Sequence, residues 1–286
     1  MVQAKIGIIG GSGLYRMQGL ADVQEVHVET PYGVPSDHIT IGNLEGSSVA
    51  FLPRHGRGHR FSPTEIPVRA NIFAFKKLGV ELVISISAVG SLKEEIKPLD
   101  ILVPDQLIDR TRHRASTFFE DGIAAHVAFS DPYCPALSLE IEKAAVSQPV
   151  DTHIGGTYVV IEGPQFSTRA ESELYRSWGA SVIGMTALPE AKLAREAQMC
   201  YATLALVTDY DCWYEAEEEV SVGLVVANMQ KNVAVSQDVI RAVVPTIPRQ
   251  RDCLCSTALA NAIITDLEQV HEETRQRLSV IMGDLG

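Results

Sequence analysis

The sequence predicts a single α/β domain around a largely buried, mixed central sheet. Three observations carry this. After about residue 69, short apolar runs alternate with amphipathic helical stretches, the pattern of a sheet dressed by helices. Before that point several β-like runs follow one another with only turn residues between them. They read as hairpins, which add antiparallel pairs and make the sheet mixed. Finally, 286 residues at 46% hydrophobic content suffice for one large core, and no repeat or low-complexity linker divides the chain.

Each element has a local reason. Ile6–Ile9 is a short apolar strand stopped by Gly10-Gly11-Ser12-Gly13. Strand-like runs follow at 23–28, 39–41 and 49–52. Arg69–Leu78 is amphipathic and predicts the first helix, its start blurred by Pro67, which lacks an N–H. Val80–Ile86 is a continuous apolar strand, and Ile101–Val103 and Tyr158–Ile161 are others. Thr168 and Glu171 have capping-box spacing and open a helix to about Trp178. Ser181–Ile183 is a strand. Pro189–Met199 is a helix with proline in its first turn, where a missing N–H costs no bond. Ala202–Val207 is again strand. Two long helical patterns close the chain, 222–243, ending before Pro245, and 257–280. The weakly periodic, polar segment 111–136 reads as a long excursion, and loops of that length are often functional. The expected organisation is one domain over 1–286, with a helical segment from about 254 to 286 packed on it.

Composition excludes several function classes. A formal net charge of −12 argues against a nucleic-acid binder, which needs a basic face. A small anion stays possible, since a few clustered arginines can reverse the potential inside one cleft. No apolar stretch reaches the length of a membrane span, and the first apolar run is too short for a signal peptide. A cytoplasmic protein is expected. The five cysteines, 134, 200, 212, 253 and 255, are odd in number and scattered, so free thiols are expected. Cys253-Leu-Cys255 leaves a redox role open. With no histidine or second cysteine pair at finger spacing, the spacing argues against zinc.

The chemistry-bearing residues gather at strand ends, where open α/β sheets bind ligands. Asp209 and Asp211 stand one residue apart just past an apolar strand. Partial desolvation there raises a carboxyl pKa toward the range useful for general acid work. Gly10-Gly11-Ser12-Gly13 can form an anion nest, although it meets neither the dinucleotide fingerprint nor the Walker A pattern. Pro53–Arg60 carries three arginines and two histidines, and guanidinium suits phosphate; not all five can be ligands. Ser87-Ala88-Val89-Gly90-Ser91 ends the strongest strand with a hydroxyl and exposed N–H groups. Met185-Thr186 precedes the helix beginning near Pro189, whose N-terminus favours an anion. In Glu162-Gly163-Pro164-Gln165-Phe166-Ser167, the Phe166 ring suits stacking on a flat ring and Ser167 suits hydrogen bonding. Each segment alone also admits a bland structural reading, but their convergence on strand ends favours a site.

The ordered set Gly-Gly-Ser-Gly-Leu (10–14), Pro-Arg-His-Gly (53–56), Glu-Gly-Pro-Gln-Phe-Ser (162–167), Gly-Met-Thr (184–186) and Thr-Asp-Tyr-Asp-Cys-Trp (208–213) resembles the trimeric purine nucleoside phosphorylases, specifically the 5′-methylthioadenosine phosphorylases. The resemblance covers about residues 5–245. It implies a three-layer α/β sandwich around a mixed, partly barrel-like sheet. It also implies phosphorolysis of 5′-methylthioadenosine to adenine and 5-methylthioribose 1-phosphate, in purine and methionine salvage, without metal or organic cofactor and with inorganic phosphate as co-substrate. Residue by residue, it assigns Ser12, Arg54, His55, Ser87, Ala88 and Thr186 to phosphate. Phe166 and Met185 flank base and ribose, and Ser167, Asp209 and Asp211 recognise the base. Val222, Val225 and Val226 wall the methylthio group, and His126 matches a residue supplied by a neighbouring subunit. A homotrimer or hexamer is thereby implied. Ser12 and Ser87 stand where the family often has Thr, which keeps the hydroxyl. The Cys253-Leu-Cys255 tail resembles microbial members.

The residue chemistry and the resemblance agree on a mechanism. Protonation at N7 makes adenine a good leaving group, and Asp209 is the expected donor, with Asp211 assisting. Arg54, His55 and Thr186 would position the phosphate nucleophile beneath an oxocarbenium-like ribosyl centre. Related 6-oxopurine enzymes carry Asn at the Asp209 position, so Asp209 favours 6-aminopurines. The rival readings are a broad phosphorylase of adenosine, inosine or guanosine, a hydrolase using water, and a catalytically silent nucleoside-binding protein.

Overall fold

The computed structural model describes residues 3–11, 17–214, 222–248 and 250–283, with the side chains of Val222 and Leu224 outside the description. Among these residues an eleven-stranded mixed sheet forms the centre. Its main path runs β2 (Ala21–Val26), β3 (Ile39–Leu44), β4 (Ser47–Pro53), β1 (Ile6–Gly10), β5 (Leu82–Ser91), β10 (Val182–Gly184), β9 (Thr157–Ile161) and β7 (Gln106–Arg110). β11 (Cys200–Asp209) pairs with β5 and with β6 (Ile101–Val103), which in turn holds β8 (Thr152–Ile154). The early strands β2–β3–β4 are antiparallel, whereas β1 is parallel to both β4 and β5. This is the mixed character the hairpin-like start predicts.

The sheet forks at β5. Its first half lies between β1 and β11, and its last two residues pair antiparallel with β10. A strand shared in this way opens the sheet at the carboxyl ends of β5 and β11, and the cavity described below lies there.

Period-2 alternation sorts the strand side chains into two apolar layers. Ile9, Val83, Tyr201, Ala205 and Val207 face one layer, with α1 (Val68–Lys77), α4 (Ala187–Glu196) and α6 (Glu272–Met282). Ile8, Leu82, Ile84, Leu204 and Leu206 face the other, with α2 (Pro135–Val146) and α5 (Val222–Val243). Helices on both faces make the three-layer α/β sandwich. α3 (Arg169–Ser177) is opened by the full Thr168–Glu171 capping box, as its spacing predicts.

The C-terminal segment corrects the expectation of one helix over 257–280. Short 3-10 turns occupy Leu254–Thr257 and Leu267–Gln269, and a helix forms only over Glu272–Met282. The reason is tertiary. Ala125 and Ile263 form an antiparallel bridge, His126 N–H donates to Ala262 O, and Ile264 N–H donates to Ala124 O. The 111–136 excursion therefore takes the backbone groups a helix there would have used.

Candidate active site

The two aspartates owe their placement to a bulge. β5 and β11 run in parallel register from Leu82–Cys200 to Val89–Val207, and then Asp209, not Thr208, lies opposite Gly90. The extra residue re-aims the strand end. Gly90 makes room for it: a Cβ there would lie 2.8 Å from Asp209 Oδ1. Asp209 Oδ1 accepts the Asp211 N–H (2.8 Å) and Oδ2 is bonded to Thr208 Oγ1 (2.7 Å). Asp211 turns the chain with φ +52°, a left-handed conformation that Asp tolerates better than most residues. Both carboxyls are buried. Burial raises the Asp209 pKa, and it pushes Asp211 up to about 6, with the Asp209 charge adding to it. Asn228 and Asn232 of α5 donate to Thr208 O (2.8 Å) and Val207 O (3.0 Å), tying the helix to the bulged end.

An anion-receptive end lies across the same cavity. The Ser87 and Thr186 hydroxyls meet at 3.0 Å, and Ala88 and Gly11 line the wall beside them. His55 Nδ1 lies 2.8 Å from Phe61 O, so in the neutral ring it carries the proton and Nε2 is left as an acceptor. Burial is the main cause that lowers the His55 pKa to about 4, so the ring is neutral at pH 7. His59 stacks on it at 4.2 Å and also lines the cavity.

Arg54 reaches the cavity but is largely committed to the protein. Its Nε donates to Glu190 Oε1 (2.5 Å) and Nη2 to Glu190 Oε2 (3.1 Å) and Ser85 Oγ (2.7 Å). Nη1 donates once, to Ile86 O (2.8 Å), leaving it one N–H among the described residues. Both partners of this ion pair are fully buried, so most of the Arg54 charge is balanced before any anion arrives. Arg57 and Arg60 point elsewhere: Arg57 pairs with Glu25, and Arg60 bonds Ser36 O and lies near Asp37.

The opposite end suits a flat ring. Phe166 lines the cavity with 46% of its surface exposed, and the Ser167 hydroxyl is buried without a hydrogen-bond partner. Met185 is seated by Gly163 at φ +67°, where a Cβ would fall 2.4 Å from its sulfur. Arg114, which the sequence reading missed, staples this region. Its guanidinium donates to Met185 O (2.5 Å), Leu188 O (2.7 Å) and Glu162 O. An arginine-dense stretch within the excursion was the only signal.

The outer wall is one face of α5. Val225, Met229, Val233 and Ser236 line the cavity at helical spacing. Val226 does not: it is one residue off that face and 44% exposed, which corrects its assignment to the methylthio wall. The 3.6-residue period run forward from Val225 would have found Met229 and Val233. His126 is exposed on the excursion and does not line the cavity of its own chain. Ser12 lies outside the described residues, as does the Val222 side chain.

The cavity encloses about 230 Å³. Neutral hydroxyl and imidazole donors and acceptors stand at one end, a buried acid pair at the other, and apolar walls between. Such a cleft at the carboxyl ends of parallel strands defines a class of α/β protein that holds a small molecule with an anion-seeking part and a flat polar ring. Residues 5–245 match the family model described as the phosphorylase superfamily, and the chain belongs to that family. It is 56% identical to the S-methyl-5′-thioadenosine phosphorylase of Geobacter sulfurreducens, over 97% of this chain and 98% of that one. Among solved structures, a methylthioadenosine phosphorylase from an antarctic soil metagenomic library superimposes with a TM-score of 0.94 at 52% identity, covering 98% and 99% of the two chains. A mutant adenosine/methylthioadenosine phosphorylase of Schistosoma mansoni in complex with methylthioadenosine gives 0.83 at 30% identity, covering 99% and 100%.

Proposed function

We propose that the chain catalyses phosphorolysis of 5′-methylthioadenosine to adenine and 5-methylthioribose 1-phosphate. The observation that carries this is the placement of Asp209, buried with a raised pKa at the bulged end of β11, in one cavity with the Ser87–Thr186 hydroxyl pair. A leaving purine needs a proton and an attacking anion needs donors, and one cleft supplies both. The names of the relatives support the same substrate.

Phosphate binds between Ser87, Ala88, Thr186, His55 and the remaining Arg54 N–H, with Ser12 completing the set. Nε2 of neutral His55 accepts the P–OH of monohydrogen phosphate. Phe166 and Met185 flank the base and ribose, and Ser167 bonds the base. Asp209 donates to N7 as the glycosidic bond breaks, and Asp211 shares the site's proton. The oxocarbenium-like ribosyl centre is then captured by phosphate, so rate comes from placement and electrostatics. Neither step calls for a metal or organic cofactor. The apolar α5 face of Val225, Met229 and Val233 receives the methylthio group. Adenosine is accordingly a slower substrate, by about the 10–200-fold such pockets achieve.

We further propose a single domain over 1–286 working in the cytoplasm as a homotrimer or a hexamer. His126, exposed on its own excursion, would complete a neighbour's site. Among the described residues no helix is long and apolar enough to cross a membrane.

The test is free-base release from methylthioadenosine and from inosine, each with and without phosphate. Adenine release from methylthioadenosine only with phosphate is expected. Phosphate-independent release means a hydrolase, faster inosine cleavage overturns the role of Asp209, and no cleavage means a silent binding protein.

A further inference from the structure

Far from the cavity, four of the five cysteines converge. Cys134 is the N-cap residue of α2, Cys200 is the first residue of β11, and Cys253 and Cys255 flank the start of the 3-10 turn at Leu254–Thr257. Their four sulfur atoms all lie within 4.8 Å of one another, with Cys200 and Cys253 at 3.3 Å, and all are free thiols. Cys134, Cys200 and Cys255 are buried and Cys253 is partly so. β11 runs its whole length between this cluster and Asp209, about 30 Å. The fifth cysteine, Cys212, is not part of it.

We infer that Cys134, Cys200, Cys253 and Cys255 form a structural site for a thiophilic divalent cation, zinc in the first instance. Each sulfur has the other three as neighbours. A tetrahedral zinc with bonds of about 2.3 Å needs sulfurs about 3.8 Å apart, within the spread observed. Mutual convergence of all four sulfurs, and not of one close pair alone, is what a closed S₄ site requires. Zn²⁺ displaces the four thiol protons to solvent and leaves a site of net charge −2. One feature opposes that charge: Cys134 stands at the N-terminus of α2. Arg251 lines a pocket shared with Cys134, but it is paired with Glu81. With four protein ligands no position is open to substrate, so the site holds structure. Spacing along the chain argued against zinc because two of the ligands come from distant elements that only the fold brings together.

The consequence is mechanical. The metal would pin the segment after α5 to the start of β11 and to α2. That segment then runs on to clasp the excursion, where Ile263 bridges Ala125 and Arg277 bonds Asp121.

The experiment reads metal, not activity. The full chain is produced in zinc-supplemented medium, purified under reducing conditions without chelator, and assayed for zinc by mass spectrometry. About one zinc per chain is expected, falling to near zero in the Cys253→Ser/Cys255→Ser variant. Replacement by Co²⁺ should give the intense visible and thiolate charge-transfer bands of tetrahedral cobalt. Metal removal should raise hydrogen exchange at least tenfold across 254–283. Five reactive thiols, Cys212 included, with no bound zinc and no cobalt spectrum overturn the proposal. So does a mass lower by two or four hydrogens in a sample prepared in parallel without reductant, which means disulfides. If the variant does not fold, the zinc content and cobalt spectrum of the unmodified chain decide alone.

Discussion

Asp209 keeps a raised pKa although its hydrogen bonds pull the other way. The Thr208 hydroxyl, 2.7 Å from Oδ2, and the Asp211 N–H, 2.8 Å from Oδ1, both favour the carboxylate. Burial disfavours it and outweighs both, so the carboxyl holds its proton more tightly than a free one. Asn at this position still accepts the Asp211 N–H but has no acidic proton to give. Asp209→Asn should therefore lower kcat for methylthioadenosine by about 10²–10⁴-fold, the usual worth of general acid catalysis. Its thermal midpoint should move by no more than about 3 °C, equivalent to roughly 1 kcal/mol. Adenine release and a melting curve check both; unchanged turnover would remove Asp209 from its role. Much of this was legible in sequence, because strand-end motifs announce themselves by composition. The commitment of Arg54 was not. Its partner Glu190 is 136 residues away and sits in an ordinary helical pattern, so only the fold discloses that the guanidinium is already paired.

The pairing of β5 with β11 is the element on which the site depends, and Gly90 is its most constrained point. A Cβ at Gly90 would lie 2.8 Å from Asp209 Oδ1 and 3.3 Å from both Asp211 Cβ and Ile183 Cγ2. Gly90→Ala should displace the acid while leaving the sheet paired. The expected result is at least a tenfold fall in kcat/KM with a stability loss of about 1–3 kcal/mol, typical of overpacking. Assays of adenine release and urea unfolding separate the two, and a variant that loses stability but keeps full activity would detach the bulge from catalysis. Elements with strong periodicity, such as α5 and the Thr168-capped α3, were readable to within a residue or two. β7 and β8 were not: one is the polar run Gln106–Arg110 and the other only three residues long, and both owe their pairing to neighbours. α2 opens with Pro135 in its first turn, but its apolar face is blurred: Leu137, Ile141 and Ala145 are buried while Leu139 and Val146 are exposed, so the period does not stand out.

At the scale of the whole molecule, buried acids couple stability to pH. Glu196 at the end of α4 accepts the Phe118 N–H and the Thr117 hydroxyl, both at 2.7 Å, and so fastens the helix layer to the excursion. Burial raises its pKa to about 7 from an ordinary 4.5. The folded chain thus holds this proton more tightly than the unfolded chain. Its contribution is fully present below pH 4.5 and is lost as pH rises through about 7. Asp211, raised to about 6, acts in the same direction. His55, lowered to about 4, acts in the opposite one, gaining stability as pH rises toward 6.5. A single melting curve therefore mixes opposing signs, and a difference between two proteins is needed. Glu196→Gln cannot ionise but leaves His55 and Asp211 in place. The stability advantage of the unmodified chain over this variant should shrink between pH 4.5 and 8 by on the order of 2–3 kcal/mol. For a chain of this size that is about 4–8 °C in thermal midpoint. A difference that stays constant across this range would mean that Glu196 ionises as freely in the fold as outside it. The join between α4 and the excursion would then rest on its hydrogen bonds alone.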